Sequence, residues 1–79
     1  MAERRLRTVT GRKKVPKEAL GRFSHSDGWN AALDNALKKI GWPEADYREA
    51  KIEFFANVHV ENPGIITDYL VRVSPPGGG

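Results

Sequence analysis

The run Ser26 to Gly41, SDGWNAALDNALKKIG, constrains what this chain can fold into more than any other stretch. Trp29, Ala32, Leu33, Ala36, Leu37 and Ile40 recur at spacings of three and four and so line one side of a helix, leaving Asn30, Asp34, Asn35, Lys38 and Lys39 in water. Ser26 or Asp27 supplies an acceptor for the orphan backbone N–H groups of the first turn, and Asp27 also suits the positive end of the helix dipole. At the other end Lys38 and Lys39 complement the dipole, Gly41 can take the left-handed stop and Pro43 forbids continuation. The spacing therefore predicts a helix over 26–41 with one face built to be covered.

The cover is found downstream. In Lys51 to Val60, KIEFFANVHV, Ile52, Phe54, Ala56, Val58 and Val60 alternate with Lys51, Glu53, Phe55, Asn57 and His59, the period of a half-buried strand. Glu61-Asn62-Pro63-Gly64 has the residues of a reversal. The next run, IITDYLVRV, places Ile65, Thr67, Tyr69, Val71 and Val73 on one face and Ile66, Asp68, Leu70 and Arg72 on the other. Together they form an antiparallel hairpin whose Ile52/Phe54/Val58/Tyr69/Val71 face one helix can cover. Its second face carries Phe55, Ile66 and Leu70 among His59, Arg72 and other polar residues, and the chain offers nothing else to cover them. That face reads as a subunit interface made of Phe55, His59, Ile66, Leu70 and Arg72, or as an ordinary sheet surface with scattered apolar residues.

Upstream of the helix the reading is looser. Arg5 to Thr10 is at best an edge strand, because Gly11 and three following cations interrupt any buried run, and Lys17 to Ser24 alternates imperfectly as a short strand. Residues 1–22 hold eight basic side chains against two acidic ones, whereas the remainder holds five against eight. Arg4, Arg5, Arg7, Arg12, Lys13 and Lys14 thus form a basic arm that reads either as a contact for nucleic acid or another polyanion, or as a solvated edge. The map is an arm or extra edge strand over 1–16, a domain over 17–73 and a flexible tail over 74–79.

Seventy-nine residues bury only about 60–65% of their unfolded surface. With no cysteine the chain has neither disulfides nor thiolate metal sites, which leaves oligomerisation as the expected supplement to a small core and fits a cytoplasmic location. No apolar run reaches the ~18 residues of a membrane span, so no membrane partner is expected. Trp42 reads as a cap folded back on the helix C-terminus or as an exposed stacking platform, and Tyr47 is a second aromatic candidate for a planar ligand. Phosphate loops, paired metal ligands and nucleophile elbows are missing from the sequence. His25 reads as a residue of the helix start. No acid–base pair stands out, so an enzyme is not expected.

The pieces SDGWNAALDNAL (26–37) and VENPGIITDYLVRV (60–73) resemble the dodecins, small flavin-storage proteins, with one residue inserted at Pro63. The resemblance covers residues 19–73. It implies an α+β fold of β-α-β-β order, a three-stranded antiparallel sheet wrapped around one helix, and a homo-oligomer of up to twelve subunits closing into a hollow shell. It also implies a non-catalytic binding or storage role. The tryptophan that stacks on flavin in that family falls at Glu49 or Ala50 here, and the flavin-contacting glutamine falls at Leu70. No cofactor is therefore expected, and flavin is disfavoured.

Overall fold

The computed structural model describes residues 6–43, 48–61 and 63–76. Strand β1 (Val9–Lys14) leads through a single 3-10 turn (Lys17–Ala19) into helix α1 (His25–Lys38), followed by strands β2 (Lys51–His59) and β3 (Ile65–Ser74). The three strands make one antiparallel sheet in the order β1-β3-β2, so β3 is central and β1 and β2 are its edges. The α+β class, the single helix and the three-stranded antiparallel sheet agree with the sequence reading.

The first strand is displaced from its expected position. Lys17 to Ser24 is not a strand; the segment holds the 3-10 turn and then Gly21 at φ +81°, a left-handed residue that redirects the chain into α1. The strand lies instead at 9–14 and runs straight through Gly11 and the cations. Gly11 is its tightest point: a Cβ there would collide with the Ala32 carbonyl and the backbone of Ala36. Glycine thus lets strand and helix backbones touch, the opposite of the interruption it suggests in sequence. Residues 9–14 form an edge strand of the three-stranded sheet.

Helix α1 starts one residue before the predicted run. Ser24, not Ser26 or Asp27, is the N-cap, its Oγ accepting from the Asp27 N–H at 3.4 Å, and Asp27 lies in the first turn. The helix proper ends at Lys38, and Gly41 takes the left-handed conformation at φ +56°. The stripe that α1 buries is made of its smallest residues, Gly28, Ala32 and Ala36, at successive four-residue steps. Against them lie Tyr69, Val71 and Val73 of β3 and Val15 just beyond β1, all essentially inaccessible. Small residues on one side allow a close approach, so the helix seats over β1 and β3 and leaves β2 overhanging. The radius of gyration, 15.1 Å, exceeds the roughly 12 Å of a compact chain of this length.

Pairing of β2 with β3 slips between Asn57 and Val58, where Val58 opposes Ile66 and Asn57 still opposes Asp68. Such a bulge turns the following side chains over. Ile66 consequently packs against the core on the helix side rather than on the outer face where strict alternation puts it.

Candidate functional site

Three features are assembled by this fold. The first is an open groove between α1 and β2, lined by Ser26, Trp29, Asn30, Leu33 and Phe54, with a volume of about 500 Å³. It exists because the large apolar residues of α1 do not follow the small ones into the core. Trp29 stands edge-on to the Tyr69 ring (centroids 4.8 Å apart) and edge-on to Phe54 on its other side (5.4 Å), bridging core and groove. Leu37, one turn beyond Leu33, remains 46% exposed, and Phe54 54%. Farther along the same side Leu37, Ile40, Trp42, Pro43 and Ile52 line a second shallow depression of about 400 Å³.

The second feature lies beneath the helix N-terminus. Gly28 has no room for a Cβ because the Tyr69 ring occupies that space, and the ring's hydroxyl shares a 2.7 Å hydrogen bond with His25 Nδ1. Burial pushes the Tyr69 phenol above its ordinary value of 10.0. Phe23, His25, Ile66 and Tyr69 border a depression of about 350 Å³ that Gly21 and Gly64 leave open.

The third is the outer face of the sheet. Asp68 is 7% exposed and accepts from Arg12 (Nε 3.2 Å and Nη2 3.0 Å to one oxygen) and from Asn57 Nδ2 at 3.2 Å. The Thr67 hydroxyl, at 3.2 Å from Asp68 Oδ2 and 3.3 Å from the Asn57 carbonyl, serves the same network with its single proton. Burial by itself raises the Asp68 pKa, but the hydrogen bonds from Asn57, Arg12 and Thr67 and the Arg12 charge outweigh it and hold the carboxyl below its ordinary 3.8. Two register steps away Phe55 opposes Leu70, and the Arg72 guanidinium sits 4.7 Å over the Phe55 ring with Glu53 at 3.8 Å. His59 closes the strand with its Nε2 3.3 Å from a Glu61 carboxylate oxygen.

Of the residues singled out in the sequence, Phe55, His59, Leu70 and Arg72 therefore share the outer face, while Ile66 lies on the helix side. The basic segment is divided: Arg12 is committed to Asp68, Lys13 reaches over the Phe23 ring at 5.6 Å, and Arg7 contributes its carbonyl to the Trp42 indole N–H at 2.7 Å. Trp42 is half-buried against the core near the helix end, where Arg7, Val9, Lys39 and Ile40 form a cavity of about 490 Å³. Arg4, Arg5 and Tyr47 lie outside the described residues. Glu49 and Ala50 are exposed ahead of β2, and Leu70 is half-buried on the outer face.

Comparison with family models, curated proteins and solved structures finds no match.

Two residues of these sites escape sequence reading. Asp68 passes for a solvated acid, because its cation partner lies on a strand that the glycine and cations hide. Asn57 comes to stand opposite it only through the slip in pairing after Asn57, since an unbroken register from His59 and Ile65 would set Asn57 opposite Thr67. Among the described residues there is no group of three or more metal-ligating side chains, and no helix is long and apolar enough to cross a membrane.

Proposed function

We propose that this chain is a non-catalytic, self-associating binding or storage module of dodecin type whose ligand is not flavin. The observation that carries the reading is the uncovered groove in which Trp29, Leu33 and Phe54 meet, continued by exposed Leu37 and Ile52. A monomer that leaves Leu37, Ile52 and Phe54 about half exposed gains stability when a second surface covers them. A rim of Ser26 and Asn30 beside two edge-on aromatic rings suits an apolar planar ligand with few polar groups. Glu49, Ala50 and Leu70 supply neither a stacking ring nor an orienting amide, which weighs against flavin.

A polyanion-binding role through residues 4–14 has less support, because adjacent β1 residues point to opposite faces and Arg12 is neutralised by Asp68. Loss of retardation of nucleic acid at modest salt, or its absence at low salt, separates that role from binding in the groove.

Native mass spectrometry tests the main reading, with an oligomer expected and a strict monomer at micromolar concentration overturning it. Titration with riboflavin is expected to leave flavin fluorescence unquenched below about a micromolar.

A further inference from the structure

The two edges of the sheet are finished differently. Along β1 the outward backbone groups are covered by α1: Asn35 Oδ1 accepts from the Arg12 N–H at 3.0 Å, and Lys39 Nζ donates to the Thr10 carbonyl at 3.3 Å. β2 runs for nine residues at the other edge, and among the described residues nothing pairs with its outward side. The register identifies the open groups. Thr10 and Arg12 face away from β3, so Gly11 and Lys13 bond to Val71 and Tyr69. Arg72, Leu70 and Asp68 then bond to Glu53, Phe55 and Asn57, which leaves the N–H and C=O of Ile52, Phe54 and Ala56 pointing outward. The strand carries apolar side chains on both faces, with Phe55 41% exposed on the outer one, and no proline breaks it. An edge of this kind is a template for another strand.

We propose that the strand it takes is β2 of a second copy of this chain, antiparallel about a two-fold axis through Phe55, joining two sheets into one of six strands. Phe55 is the midpoint of Lys51–His59, so this register pairs the whole strand with itself. It sets Phe54 opposite Ala56 and Ile52 opposite Val58, continuing the apolar helix-side row across the seam. It also sets Glu53 opposite uncharged Asn57, and brings Lys51 to His59, whose ring already contacts the Glu61 carboxylate. No acid meets an acid. Because α1 sits over β1 and β3, the paired β2 strands become the floor of one trench into which both Trp29/Leu33/Phe54 grooves open. Each groove is then completed by the other copy. This inference rests on the self-association proposed above and specifies its seam.

The test uses full-length protein carrying Phe55→Cys. Opposed residues of a non-hydrogen-bonded pair have Cα atoms about 4.5 Å apart, within disulfide reach. Mild oxidation converts most of this variant to a covalent dimer, whereas Lys38→Cys, on the wet side of α1, stays largely uncrosslinked. A second variant, Ala56→Pro, removes an outward N–H and no bond to β3. Sedimentation velocity is expected to show association weakened by at least about tenfold with an unchanged circular dichroism spectrum. A monomeric wild type overturns both the proposed function and this seam. An oligomeric wild type in which Phe55→Cys crosslinks no better than Lys38→Cys overturns the seam alone, and this comparison decides even where Ala56→Pro fails to fold.

Discussion

The hydroxyl of Tyr69, at the bottom of the core, lies 2.7 Å from Nδ1 of His25, which is exposed at the first residue of the helix. The pair joins the most buried ring of the sheet to solvent through one imidazole. Tyr69→Phe keeps the ring packed against Gly28 and Trp29 and frees an imidazole that water can reach, so it costs only about 1 kcal/mol. A melting temperature lower by roughly 4–8 °C is expected at neutral pH. The pH profile is the sharper readout. Burial raises the folded pKa of Tyr69 above the unfolded value near 10, so the unfolded chain loses its phenolic proton first. Stability is unaffected by this group below about pH 10 and falls above it, and thermal melts of Tyr69→Phe lack that component of the alkaline decline.

How the helix and the hairpin come to be legible in sequence, and β1 not, follows from what each segment buries. The 26–41 run and the alternation of 51–60 and 65–73 repeat large apolar residues at fixed periods, and the elements appear there. β1 buries Gly11 and Val9 and otherwise displays cations, so no period survives to be read. Which residues of α1 go deepest is only partly legible. The face of Trp29, Ala32, Leu33, Ala36, Leu37 and Ile40 does contain the buried Ala32 and Ala36, but steric fit ranks these small residues and Gly28 deepest, because only small residues can lie on Gly11 and Tyr69, and leaves Leu37 exposed. The groove is the residue of that choice. The bulge after Asn57, which turns Ile66 inward, leaves no mark in the pattern of apolar residues.

Gly11→Ala tests the close contact. The added methyl meets the helix backbone at Ala32 and Ala36, and backbone cannot move aside as a side-chain tip can. Overpacking typically costs 1–3 kcal/mol, and with helix and strand both held this position belongs at or above about 3. A domain of this size has few kcal/mol in reserve, so urea titration is expected to show a partly or wholly unfolded variant in buffer. Gly28→Ala offers the comparison on α1. Alanine improves helix propensity by about 1 kcal/mol, yet the Tyr69 ring fills the space, and net destabilisation is expected. An unchanged midpoint in either variant would show that the helix rides higher over the sheet than described.

Asp68 makes the fold sensitive to acid. Its folded pKa is held below the 3.8 of an ordinary aspartate, so the unfolded chain takes up the proton first as pH falls. The stabilisation is complete above about pH 5 and is lost through the window below the unfolded value down to the depressed folded one. Asp68→Asn removes the charge that Arg12 and Asn57 address and is expected to cost about 2 kcal/mol at neutral pH, read as a melting temperature lower by roughly 10 °C. Its stability curve between pH 5 and 2 is expected to be flatter than the wild type's. Parallel curves would place the acid sensitivity elsewhere.

The contrast between the two sheet edges yields the last prediction. Asn35 and Lys39 each make one exposed hydrogen bond to β1, worth about 1 kcal/mol or less, so replacing both by alanine leaves the fold intact with a modestly lower melting point. It also uncovers the Thr10 carbonyl and the Arg12 N–H. Once opened by mutation, β1 competes with β2 of a second copy for the β2 edge, and copies can add head to tail without closing, a heterologous arrangement that grows instead of stopping at the β2–β2 dimer. Light scattering of Asn35→Ala/Lys39→Ala is expected to rise with concentration and time beyond the wild-type assembly. Adding Ala56→Pro closes the β2 edge and is expected to suppress that growth, because growth beyond a pair of copies needs both edges of each copy. Scattering that stays at the wild-type level would mean that the side chains of α1 are not what keeps β1 from recruiting a strand.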